Sequence, residues 1–239
     1  MAALFVMSQA ARTNEGPPDG PSCLPKATQK EGSTARRFFE ALAVIATGVL
    51  HLVFVELLHA SAAIIAMALL GWGAYIAWRV RSGTSVLQSW GFRGDNFWRS
   101  LLASSLVATT AVAAMTSIAI ARGTIRLHWH MLPLFLLYPL WGIVQQFLVQ
   151  ALVVGNLSQV PGKISSRWVV TLVAAALFGM VHLPNLRLAA ATFVLGLTFT
   201  PIFLKWRNLW PLGLYHGWLG VLFYFWVLER DPWLEVLGH

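Results

Sequence analysis

MLPLFLLYPLWGIVQQFLVQALVVGNL, residues 131–157, carries no charged side chain in 27 positions. At about 1.5 Å per helical residue such a run is long enough to cross a hydrocarbon core of about 30 Å. Similar runs lie on both sides of it, over Leu101–Ala121, Trp168–Leu183, Leu188–Leu204 and Leu209–Leu228. Phe38–Trp78 is almost continuously apolar and too long for one crossing, so it predicts two helices turning near Leu58–Ser61. The expectation is an all-α, polytopic membrane protein of about seven transmembrane helices.

Composition agrees. Of 239 residues, 57% are hydrophobic and 11% charged, against about 25% charged in an ordinary soluble domain. A separate soluble catalytic domain is excluded. Residues 1–37 mix Pro, Gly, Ser, Thr and charge without periodicity, which predicts a disordered cytoplasmic tail ahead of a membrane domain at 38–239. The stretch RVRSGTSVLQSWGFRGDNFWRS, residues 79–100, interleaves arginine with Trp90, Phe92, Phe97 and Trp98, the pattern of an interfacial segment. The single cysteine, Cys23, rules out an internal disulfide and a thiolate metal cage.

Seventeen basic residues against nine acidic ones give a net charge of +8. With seven crossings and the tail inside, thirteen basic residues fall on the inner side, and only Arg122, Arg126, Arg187 and Arg230 outside. That asymmetry predicts a cytoplasmic N-terminus. The positive charge is then explained by orientation and contact with anionic lipid, with no need of nucleic acid.

Polar side chains within the apolar runs are few, and each is a default candidate for function because it is expensive in lipid. WGIVQQFLVQ holds Gln145, Gln146 and Gln150, with Gln146 and Gln150 on one helical face. FGMVHLPN puts Phe178 one turn before His182, followed by Pro184 and Asn185. RNLWPLGLYHGWLG holds Asn208, Tyr215 and His216. One glutamine alone reads as interhelical packing glue, and one histidine as a satisfied hydrogen-bonding group. Three glutamines in six residues, and two histidines at helix ends beside an aromatic and a proline, point instead to a shared cavity lined by Gln145, Gln146, Gln150, His182, Asn185 and His216.

In order and spacing these motifs resemble those of the CPBP family, the CAAX protease and bacteriocin-processing (Abi-type) intramembrane peptidases. That family shows Glu-Glu-x-x-x-Arg, then Phe-x-x-x-His, then His-x-x-x-Asn on successive membrane helices. Here QQFLVQ stands at Gln145–Gln150, FGMVH at Phe178–His182 and HGWLG at His216–Gly220, within a core at about 134–222. Both family glutamates are thus Gln145 and Gln146, the arginine is Gln150 and the final asparagine is Gly220. The resemblance implies an endopeptidase acting on a membrane-associated or lipidated protein, in the plasma membrane of a prokaryote. It implies Gln145, Gln146, His182 and His216 as the catalytic set, supported by Gln150, Phe178, Asn185, Tyr215 and Gly220.

An amide cannot take a proton as a carboxylate does, and no carboxylate occurs between Asp95 and Glu229. His182 is then the substitute base, Gln145 or Gln146 holds the attacking water, and His216 faces the developing oxyanion. The alternative is a pseudopeptidase that binds a membrane protein without cutting it. A channel or transporter ranks third, since no ionisable residue crosses the motif helices and no inverted repeat is visible. No cofactor is expected. A divalent metal at His182 and His216 would have only two good ligands, with glutamine a weak third. Glu56 reads as the one remaining buried acid, and a Glu56–His59 pair near a helix end is favoured over a role in the cavity. His128 and His130, beside Trp129, read as part of an interfacial aromatic belt.

One geometric conflict follows. A helix starting at Pro139 would put Gln145 about 10 Å below its outer end, and a helix ending before Pro184 would put His182 at that same level. His216, close behind Pro211, would then open the last helix on the opposite side of the bilayer. For the motifs to meet, either Leu188–Leu204 does not fully cross, or the helices are broken and steeply tilted.

Overall fold

The computed structural model describes residues 34–57, 61–83 and 85–237, with only the backbone given for 55–57, 61–65 and 236–237. The described residues are helical and contain no strand. They form α1 (Thr34–His51, continued by a π-helical stretch Leu52–Leu57), α2 (Ser61–Ser82), α3 (Ser85–Trp90), α4 (Phe97–Arg122) and α5 (Met131–Gln146). After α5 the chain widens into a π-helix over Phe147–Val154 and closes with the short α6 (Gly155–Leu157). Then come α7 (Arg167–Met180), α8 (Leu186–Trp206), α9 (Trp210–Leu222, continued as a π-helix to Leu228) and α10 (Pro232–Leu237).

Five of these helical stretches are long and apolar enough to cross a membrane: Thr34–Phe54, Phe97–Arg122, Met131–Leu157, Leu186–Trp206 and Trp210–Leu228. The protein is an integral membrane protein. The apolar segment expected at 168–183 forms the 14-residue α7, about 21 Å long and too short to cross unaided. The turn expected near Leu58–Ser61 and most of the tail lie outside the described residues. Residues 34–37, which composition assigns to the tail, form the first turn of α1.

Helix ends follow local chemistry. Gly123 takes a left-handed conformation (φ 65°) after α4, and Thr124 N–H donates to Ala119 O at 2.9 Å, capping the free carbonyls. Between α8 and α9 the fully buried Asn208 donates to Arg93 O (2.9 Å) and Asn96 Oδ1 (2.7 Å), while its own Oδ1 accepts from Trp210 N–H (3.1 Å). This one side chain ties the turn before α9 to the loop before α4.

The packing that decides the site is that of α5 against α9. A Cβ added at Gly213 would meet Ile143 Cα at 2.7 Å, one at Gly142 would meet Gly217 N at 2.8 Å, and one at Gly217 would run into Pro139. The two backbones therefore touch, through a Gly-x-x-x-Gly face on α9 (Gly213, Gly217). In lipid, where apolar burial between helices contributes little, this close approach is the main source of association. Gly196 on α8 meets Ala175 Cα of α7 in the same way, at 2.6 Å.

Glu40 of α1 is the buried acid among the described side chains, whereas the side chain of Glu56, and His59 with it, lie outside them. Glu40 accepts from Tyr75 Oη and from Asn156 Nδ2 (2.7 Å), with Arg36 and Arg79 each 3.8 Å away. It joins α1, α2 and α6 near the ends of their helices, where a carboxylate can be matched by cations.

Gly217→Val is expected to destabilise the protein by about 1–3 kcal/mol through overpacking, read as a lower unfolding temperature in detergent. Gly73→Ala, at a position with nothing within 4 Å of an added Cβ, is expected to leave that temperature unchanged or raise it.

Candidate active site

His216 lies six residues into α9, about 9 Å from its start, and Gln146 is the last residue of α5 proper. Because α5 begins at Met131 and runs through Pro139, Gln145 and Gln146 sit about 21–22 Å along it, much deeper than a start at Pro139 would put them. The antiparallel glycine contact brings that depth level with the second turn of α9. The depth of Gln146 then matches that of His216, and the shortness of α7 (14 residues) keeps His182 within reach of the same cleft.

At the meeting point Gln146 is fully buried, and its Nε2 lies 3.5 Å from Nδ1 of the buried His216. Its Oε1 is buried without a hydrogen-bond partner among the described residues. Gln145 is half-buried and lines the cleft directly. Gln146 and Gln150, one turn apart, are both fully buried but have different partners. Gln150 turns away to α8, where its Nε2 donates to Thr200 Oγ1 at 3.1 Å, and it does not line the cleft.

His182 follows α7. Since α7 stops at Met180, the carbonyl of Phe178 has no helical partner. It accepts from His182 Nδ1 at 2.7 Å and from Thr192 Oγ1 at 3.1 Å. A carbonyl only accepts, so Nδ1 of His182 carries the proton and its Nε2 is left with a lone pair whenever the ring is neutral. The buried Phe178 ring stands edge-on between the two imidazoles, 5.4 Å from that of His182 and 5.1 Å from that of His216.

Gln145, His182 and His216 line one cleft of about 150 Å³, together with Gly142, Gly217 and Gly220. Gln145, His182 and Phe178 also line a second cavity of about 660 Å³, bounded by Val44, Trp72, Phe92 and Leu177 among others. Its walls are almost wholly apolar, and its size is within the range of about 300–1,000 Å³ usual for ligand pockets. His182 and Gln145 line both spaces. No carboxylate lines either space among the described residues.

Two further residues in the expected set are placed elsewhere. Asn185 is the N-cap of α8: its Oδ1 accepts from Leu188 N–H at 3.1 Å, and it lines neither cavity. Tyr215 points to α4, where its hydroxyl bonds Ser105 Oγ at 2.7 Å. Sequence reading passed over Trp141 and Tyr138, which join the cleft wall with no signal beyond their place on the helix of Gln145.

A family model described as type II CAAX prenyl endopeptidase Rce1-like matches residues 127–222, from just before α5 to the end of α9. No curated protein and no solved structure matches the chain.

Gln146→Leu is expected to leave the unfolding temperature unchanged or raise it, because an unpartnered buried carbonyl costs about 1–3 kcal/mol. Asn185→Ala is expected to remove about 1 kcal/mol of stability through the lost cap. Both are read by thermal unfolding at constant lipid composition.

Proposed function

We propose, from the match of residues 127–222 to the type II CAAX prenyl endopeptidase Rce1-like family model, that this protein is an intramembrane endopeptidase cutting a lipidated or membrane-associated protein. The observation that carries the reading is the gathering of Gln145, His182 and His216 around one cleft that adjoins a large apolar cavity. The lipid chain of the substrate occupies the apolar cavity, and the scissile peptide reaches the cleft past His182. His182 Nε2 takes a proton from water held by the Gln145 amide. With Gln146 Nε2 donating to Nδ1 of His216, the other ring nitrogen of His216 carries the proton and donates to the oxyanion. Two imidazoles without a carboxylate beside them make a poor cage for zinc, so this mechanism is assigned no metal. The setting is the plasma membrane of a prokaryote, with the N-terminus in the cytoplasm, the orientation favoured by the loop charges.

A second reading has its own support. The lack of any carboxylate in the cleft among the described residues suits a pseudopeptidase that holds the same class of partner without cleaving it. A cavity that keeps its shape and hydrogen bonds after losing its charges as a set would still bind.

The test is co-expression of candidate lipidated membrane proteins with the wild type and with His182→Ala and His216→Ala variants, followed by mass spectrometry of the products. Cleavage is expected to fall by about 10²–10⁴ in the His182→Ala variant, the usual effect of losing a general base. It should rise when Glu is restored at 145 and 146. Association with no product in any of these proteins would establish the pseudopeptidase reading instead.

A further inference from the structure

The loop before α5 and the segment after α9 meet through residues that do not line the cleft. Arg122 Nη1 donates to Val227 O (2.9 Å), Thr124 Oγ1 to Trp226 O (2.7 Å) and Trp226 Nε1 to Arg126 O (3.3 Å). On this scaffold sit His128, His130 and Asp231. Asp231 Oδ2 lies 2.6 Å from His130 Nδ1 and 3.7 Å from His128 Nδ1, and the two imidazole centroids are 4.3 Å apart. His128 Nδ1 also accepts from the His130 backbone N–H at 3.5 Å, a contact that a bound ion would replace. An interfacial belt places rings in the headgroup layer but gives no reason for two imidazoles to gather at one carboxylate oxygen.

We propose that His128, His130 and Asp231 form a binding site for a borderline divalent transition metal, Zn²⁺ in the first instance. One ligand atom from each residue falls within 4.8 Å of the others. Around a tetrahedral zinc with bonds of about 2.0–2.1 Å the ligand atoms stand about 3.4 Å apart, so small side-chain movements complete the set. The carboxylate is already oriented: its other oxygen, Oδ1, accepts from the Trp233 N–H at 3.0 Å, the kind of outer partner that fixes a metal ligand. The His130 ring is held between Trp129 (4.1 Å) and a parallel Trp233 (5.8 Å). His128 is half-exposed, which leaves the fourth position to water. Two imidazoles and one carboxylate favour zinc, copper or nickel over magnesium or calcium. A metal here would clamp the start of α5 to the end of α9, the helices that carry Gln145, Gln146 and His216.

The probe is Zn²⁺ titrated calorimetrically into the full-length, untagged protein in nanodiscs, with Co²⁺ as a second probe read by its visible ligand-field absorption. The wild type is expected to bind one ion and to unfold at a higher temperature with it. His128→Ala removes a half-exposed ligand, and Asp231→Asn keeps the cap on α10 while removing the charge. Each is expected to weaken binding at least tenfold and to lose the tetrahedral Co²⁺ spectrum. The His182→Ala, His216→Ala double variant should bind as the wild type does. No binding by the wild type, unchanged binding by His128→Ala, or binding abolished only in the double variant would overturn the proposal.

Discussion

Everything in the site depends on two helix backbones touching. In water, α5 and α9 would be drawn together by burying their apolar faces; in a bilayer the lipid chains are as apolar as the side chains, and that force is weak. What replaces it is shape. Gly142 on one helix and Gly213 and Gly217 on the other remove the side chains that would keep the axes apart. The approach sets rotation as well as distance, since only one face of α9 is made of glycine. His216 lies immediately before Gly217, about 100° around the helix, so fixing the rotation of α9 also fixes the direction of its imidazole, which meets Gln146.

Around that contact the protein separates charge from amide. Charged groups are kept to helix ends and loops, where Glu40 meets Arg36 and Arg79, and Arg122 meets Glu229 at 2.5 Å. The interior keeps neutral polar groups, and among the described residues the carbonyl oxygens of Gln146 and Gln150 are buried without a hydrogen-bond partner. Each such oxygen lowers stability by an amount comparable to a lost hydrogen bond. A fold selected for stability alone would have apolar side chains there. The π-helix that starts at Phe147 adds to this picture, because widened turns within α-helices recur where function demands a shifted register.

Particular residues show where a sequence stops being informative. The apolar runs near 101–121, 131–157, 188–204 and 209–228 became helices within a few residues of the expected limits, because lipid leaves the backbone no alternative to internal hydrogen bonding. A helix start at Pro139 puts Gln145 too near the outer surface, whereas Pro139 lies inside α5 against Gly217. Asn185 looked like a cavity residue because it follows a histidine and a proline, yet the same position is a good N-cap, and that is its place. Glu40 gives no local signal of burial, because its partners Tyr75, Arg79 and Asn156 are remote in the chain. His128 and His130 had no visible partner for the same reason, since Asp231 is about a hundred residues away.

The one-dimensional pattern determined which segments are apolar enough to leave water, which polar side chains they carry with them, and the order of the three motifs. Those properties follow from transfer free energies and local hydrogen bonding, which each segment meets alone. Only the tertiary structure decided that Gln146 meets His216 while Gln150 leaves for Thr200, that Phe178 stands between two imidazoles, and that Asp231 joins His128 and His130. Such pairings depend on the depth and rotation of one helix against another. In a bilayer these are set by contacts between surfaces distant in the chain, and no single segment carries them.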